Sequence, residues 1–135
     1  MNLLSAAIAV CIAALSPSAA FAADAPCMDV SLTCAGFEPN WYFEMQGRDT
    51  LAFTDPENPD WQTKPLIVSA CAQRLAGGTT RISSGAPLEL SAIVEKAQCT
   101  APNDDVHPYR ISIKFRQGTA QGAGTPVSGT GCCWR

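Results

Sequence analysis

The chain lacks most of the residues around which small enzymes are built. It has one histidine, His107, which excludes a conventional multi-histidine zinc centre. It has no C-x-x-C pair to start a redox helix, no G-x-S-x-G elbow and no glycine loop of phosphate-binding spacing. It has no basic run. Nine Lys and Arg stand against twelve Asp and Glu, a net charge of −3, so there is no electrostatic footprint for nucleic acid and no polybasic patch for anionic lipid. The apolar run Leu3–Leu15 falls short of the roughly 20 residues that span a bilayer. No stretch repeats another, and 135 residues amount to one domain.

What is present begins with that short apolar run. It is followed by Ser16-Pro17-Ser18 and then Ala20-Phe21-Ala22, the layout of an export signal cut after Ala22. No Lys or Arg precedes the run, so the amino terminus alone supplies the positive charge of a usual leader. The expectation is a signal peptide over 1–22 and a single β domain over 23–135, periplasmic or secreted, with no stable membrane anchor after cleavage. Cys11 falls inside the leader, well before the small-residue cleavage site.

Six cysteines remain: Cys27, Cys34, Cys71, Cys99, Cys132 and Cys133. An even number in a small exported domain implies a disulfide framework, since the compartment is oxidising and the core is modest. Three bridges of ~2–4 kcal/mol each would supply much of the stability. Six cysteines allow 15 connectivities, and spacing alone does not choose among them. Adjacent Cys132 and Cys133 point to opposite faces if they sit on a strand, so they are expected to take different partners.

Period-two patterns recur along the chain. Met28, Val30, Leu32 and Cys34 alternate with Asp29, Ser31 and Thr33. Trp41–Gln46 and Thr50–Thr54 flank a Gly47-Arg48-Asp49 turn and read as a hairpin. Asp55-Pro-Glu-Asn-Pro-Asp60 reads as a loop, because its prolines cannot serve a central strand. Leu66–Cys71 is β-branched, and Gly77-Gly78 marks a turn. Leu88, Leu90, Ala92 and Val94 alternate with their neighbours; a helix over 88–98 is the rival reading. Tyr109, Ile111, Ile113 and Phe115 share one face of a strand, with Arg110, Ser112, Lys114 and Arg116 on the other. A glycine-rich loop over Gln117–Gly124 and a last strand over Val127–Trp134 complete the pattern. About seven or eight short strands at this spacing predict an all-β, disulfide-stapled antiparallel barrel or sandwich.

The candidate functional residues are Glu38, Trp41, Asp105 and His107. Glu38, beside Pro39 and three residues before Trp41, is a general acid if an apolar wall raises its pKa, and otherwise a turn residue. Trp41 suits a small core better than a ligand platform. Asn103-Asp104-Asp105-Val106-His107 carries oxygen and imidazole ligands but reads first as a solvated turn. The 55–60 loop has calcium-type ligands without the glycine or spacing of an EF-hand. Cys132-Cys133 could in principle form a labile bridge or hold a soft metal, although structural disulfides fit better. No catalytic residue, metal or cofactor is assigned.

Together these residues resemble a bacterial family of small exported proteins and lipoproteins of unknown function. Its members carry C-x-G-x-E-P-[FN]-W near the start, then a cysteine with an Asp-containing turn and a Tyr-Pro-like pair, and a C-terminal Gly-Cys. The matching positions are Cys34, Gly36, Glu38, Pro39 and Trp41, then Cys99, Asp105 and His107-Pro108, then Gly131-Cys132. Asn40 stands where Phe is usual, His107 stands where Tyr is usual, and no lipobox precedes the cleavage site. The resemblance implies an exported location and a compact β fold, and it implies no reaction. The expected function is a non-enzymatic binding or inhibitor module acting on an envelope or extracellular ligand. That expectation is a fold-level analogy with small exported barrels such as those that inhibit lysozyme, whose internal motifs are missing here. The alternatives are a hydrolase using Glu38 with Asp104 or Asp105, and thiol or metal handling at Cys132-Cys133.

Overall fold

The computed structural model describes residues 26–56, 64–119 and 122–135. The expected leader and most of the 55–60 loop, with its calcium-type ligands, lie outside the described residues. The alternating segments fold as strands: β1 (Val30–Phe37), β2 (Asn40–Gly47), β3 (Thr50–Thr54), β4 (Leu66–Arg74), β5 (Thr80–Ser84), β6 (Leu88–Glu95), β7 (Cys99–Thr100), β8 (Val106–His107), β9 (Tyr109–Thr119), β10 (Gly122–Ala123) and β11 (Val127–Trp134). A 3-10 turn, Ala76–Gly78, joins β4 to β5. Gly77 and Gly78 both take φ +79° there, a conformation that glycine adopts without steric cost.

Eight strands close into an antiparallel barrel in the order β1-β2-β3-β4-β5-β6-β9-β11, with β11 paired back onto β1. Closure removes the sheet edges that an open sandwich would have to protect. The hairpin of β7 and β8 is an excursion between β6 and β9, and β10 folds back on the end of β9.

The alternation of Leu88, Leu90, Ala92 and Val94 is that of a strand, β6, hydrogen-bonded on both sides over Leu88–Glu95, and the rival helix over 88–98 does not form. One expectation changes in detail. The expected loop over 117–124 is largely a continuation of β9 to Thr119 followed by β10. Glycines that read as flexible in the sequence have been drawn into a ladder.

Alternation decides what lies inside. Trp41, Phe43 and Met45 of β2, Leu51 and Phe53 of β3, and Ile111, Ile113 and Phe115 of β9 all point inward and are buried. Leu88, Leu90, Ala92 and Val94 do the same from β6. The Phe53 and Phe115 rings meet at 5.0 Å, and Trp41 stacks on Phe43 at 5.9 Å. An eight-stranded barrel is just wide enough for side chains to fill it, and these fill it.

The seam between β1 and β11 is different. Cys34 and Cys133 are register partners that both face inward and are bonded there, with Cα atoms 4.1 Å apart. Cys132 is bonded to Cys99 of the β7-β8 hairpin, so the adjacent cysteines part as expected. The third bridge, Cys27–Cys71, ties the lead-in to β4. β3 is short and reaches only Ser69 on β4. Beyond it the lead-in takes over, with the Met28 N–H donating to the Ala72 carbonyl at 2.7 Å.

Candidate functional site

The turn between β1 and β2 is only two residues long, Glu38-Pro39, with Phe37 opposite Asn40. This geometry puts the Glu38 side chain in solvent. Glu38 is thus a solvent-facing turn residue and is not enclosed by the core.

The β7-β8 hairpin supplies the other half of the site. Its loop is closed by four hydrogen bonds: Ala101 N–H to the Asp105 carbonyl at 2.8 Å, Asp104 N–H to the Ala101 carbonyl at 2.9 Å, Asn103 Nδ2 to Asp105 Oδ2 at 2.6 Å, and Asp105 N–H to Asn103 Oδ1 at 3.3 Å. Asp104 sits at φ +67°, in the left-handed region that Asp tolerates better than most residues. The base of the hairpin is fastened to β11 by Cys99–Cys132, and the His107 ring stacks on Trp134 with centroids 4.6 Å apart. The hairpin thus lies against β11, and its loop approaches the β1-β2 turn. Between them runs a surface groove lined by Phe37, Glu38, Asn40, Pro102 and Thr130.

The four residues singled out from the sequence are therefore dispersed. Glu38 lines the groove. Asp105 is exposed but engaged within its own loop, and His107 is half-buried against Trp134. Trp41 is 1% exposed and belongs to the core. Its indole lies directly on Gly36, where a Cβ would overlap the ring, and beside Gly129, where a Cβ would come to 3.2 Å of Nε1. Among the described residues the Trp41 N–H has no hydrogen-bond partner. The described residues contain no group of three or more His, Cys, Asp or Glu able to hold a metal. Cys132 and Cys133 are each bonded elsewhere, so no bridge joins them to each other.

Sequence reasoning missed a row on the outer face. Trp134, Thr33 and Glu44 are consecutive register partners across β11, β1 and β2. The Tyr42 hydroxyl donates to Glu44 Oε1 at 2.5 Å. That hydrogen bond, together with partial burial and the carboxylate charge, pushes the Tyr42 hydroxyl up to about 12, against a smaller opposing pull from Thr33. The same alternation that places Trp41 and Phe43 inside could have placed Tyr42 and Glu44 outside together.

Compared with known proteins, the chain matches no family model, no curated protein and no solved structure.

Proposed function

We propose that this protein is an exported, disulfide-stapled barrel that acts by binding a macromolecular partner in the envelope or outside the cell. The groove between the β1-β2 turn and the β7-β8 hairpin is the contact surface in this reading, with Glu38 as its charged element. The observation that carries it is the state of the interior. Trp41, Phe43, Met45, Leu51 and Phe53, each 1% exposed or less, occupy the space where a ligand-carrying barrel would hold a small molecule. Recognition then falls to the outside, and a groove with an apolar wall, a carboxylate and two small polar residues suits a protein surface better than a solute. Three disulfides support an oxidising compartment, and no helix among the described residues is long and apolar enough to cross a membrane. The family resemblance points to the same location.

The first test is the mass of the protein recovered from cells expressing the full chain, alkylated under denaturing conditions without reduction. The expected species is 23–135 less six hydrogens; a species still carrying Met1 would overturn the exported reading. The inhibitor form of the proposal is tested against lysozyme at large molar excess, where an unchanged lytic rate would rule it out.

A further inference from the structure

Three inward-facing series end on a cation at one mouth of the barrel. On β6, Leu88, Leu90, Ala92 and Val94 are continued by Lys96. On β11, Cys133 is followed at the next inward position by Arg135, and on β4, Ala70 and Ala72 are followed by Arg74. Lys96 follows β6 in a bend closed by the Ala97 N–H to the Glu95 carbonyl, and Arg135 follows the end of β11; the cavity that both line places them at the mouth.

Lys96 and Arg135 rim a cavity of about 40 Å³ with Tyr109 at its side and Leu32, Ile82 and Val94 beneath. The Arg135 guanidinium lies 5.6 Å from the Tyr109 ring centroid, a contact that holds it over the mouth. Neither cation is ion-paired among the described residues, where the side-chain pair is Arg116 with Glu89 on the outer wall. Asp49, the acid of the same parity beside β3, accepts the Thr50 hydroxyl at 3.1 Å and does not line the cavity. The opposite end of the interior carries the reverse sign: Phe53 is followed by Asp55, which accepts a hydrogen bond from Gln117 Nε2 at 3.3 Å.

We propose that this mouth binds a carboxylate bearing one short apolar arm. A water needs about 10–15 Å³ of such space, so the cavity has room for a few heavy atoms and none for an acyl chain. The cations take the charge, and the aliphatic floor takes the arm, which an inorganic anion would leave unfilled. The site is on a different part of the barrel from the groove and stands independently of it. A free short-chain acid and the carboxyl terminus of a peptide offer the same chemistry.

The test is an amide-resonance titration of protein expressed from the full-length chain, with isobutyrate, isobutyramide, and a valine-ended tetrapeptide as free acid or as amide. Isobutyrate should give saturable shifts at Val94, Lys96 and Tyr109. Isobutyramide should bind about tenfold more weakly or less, because the charge is its main anchor. Lys96→Gln combined with Arg135→Gln should cost a similar factor, while Arg116→Gln should leave binding unchanged. Tighter binding of the free-acid tetrapeptide than of isobutyrate identifies a chain terminus as the source of the carboxylate; equal or weaker binding identifies the free acid. Absence of saturable shifts with either acid, or equal binding of acid and amide, overturns the proposal.

Discussion

The wall of β6 and β9 and the seam of β11 and β1 belong to one ring of strands but are built from opposite kinds of residue. Inside the wall stand Leu88, Leu90, Val94, Ile111, Ile113 and Phe115; outside it stand Glu89, Ser91, Lys114 and Arg116. Inside the seam stand Gly36, Gly129 and Gly131 and one cystine, and the missing volume is filled by Trp41 reaching over from β2. The wall is held by many interchangeable contacts, each a small part of the burial energy. In the seam one covalent bond and one close approach are added to a short ladder. A barrel closes only if its first and last strands meet, and here that meeting is the part secured by specific chemistry.

The contrast can be broken by measuring stability in urea. Replacing Cys34 and Cys133 together with alanine should cost about 4 kcal/mol, because their bridge spans 99 residues of chain. A loss below that of any single wall substitution would remove the distinction. Gly36→Ala comes next, at about 3 kcal/mol, since the added methyl group overlaps the Trp41 indole. Ile113→Val in the wall should cost about 1 kcal/mol. Glu89→Gln, on the wall's outer face, should cost under about 0.5 kcal/mol, because its pair with Arg116 is 39–48% exposed.

The outer face of the strands beside the seam sharpens the comparison through pH. Tyr42 keeps its proton to about pH 12 in the fold and to about 10 when unfolded. Between those values the folded state binds more protons, so stability should fall as pH rises from 10 to 12 and be unaffected below 10. Tyrosinate absorbance should show one late-titrating tyrosine, moved to lower pH by Glu44→Gln. The absence of any late tyrosine would show that the Tyr42–Glu44 bond does not persist in solution.

The wall was legible in the sequence and the seam was not. The faces of 109–116 follow from a period of two, because each residue of that strand meets a uniform apolar interior or uniform solvent. The strand over Val127–Trp134 was expected, but not why Gly36 and Gly131 must lack a Cβ: at Gly36 the space is taken by Trp41 of the paired strand, and at Gly131 by the Ala35 backbone. The second of these neighbours is brought up from the far end of the chain and has no local signature. The divergence of Cys132 and Cys133 was legible from strand parity, while their partners depended on which strand became the neighbour of β1. The groove shows the same division. Glu38 stands out in its motif, but Pro102 and Thr130 come to it from two other segments. Lys96 and Arg135 look like ordinary charges after two strands until closure gives both strands a common axis.

The pairing of the cysteines also has a consequence in time. In chain order they run Cys27, Cys34, Cys71, Cys99, Cys132, Cys133, and the bridges 27–71 and 34–133 interleave. An oxidant that joined thiols in the order in which the chain is made would couple Cys27 to Cys34, a bridge the barrel does not contain. The mature fold therefore requires Cys34 to remain reduced, or to be released by an isomerase, until the last strand is delivered. Acid-trapped intermediates containing Cys27–Cys34 would record that detour, and protein made without an isomerase should accumulate them.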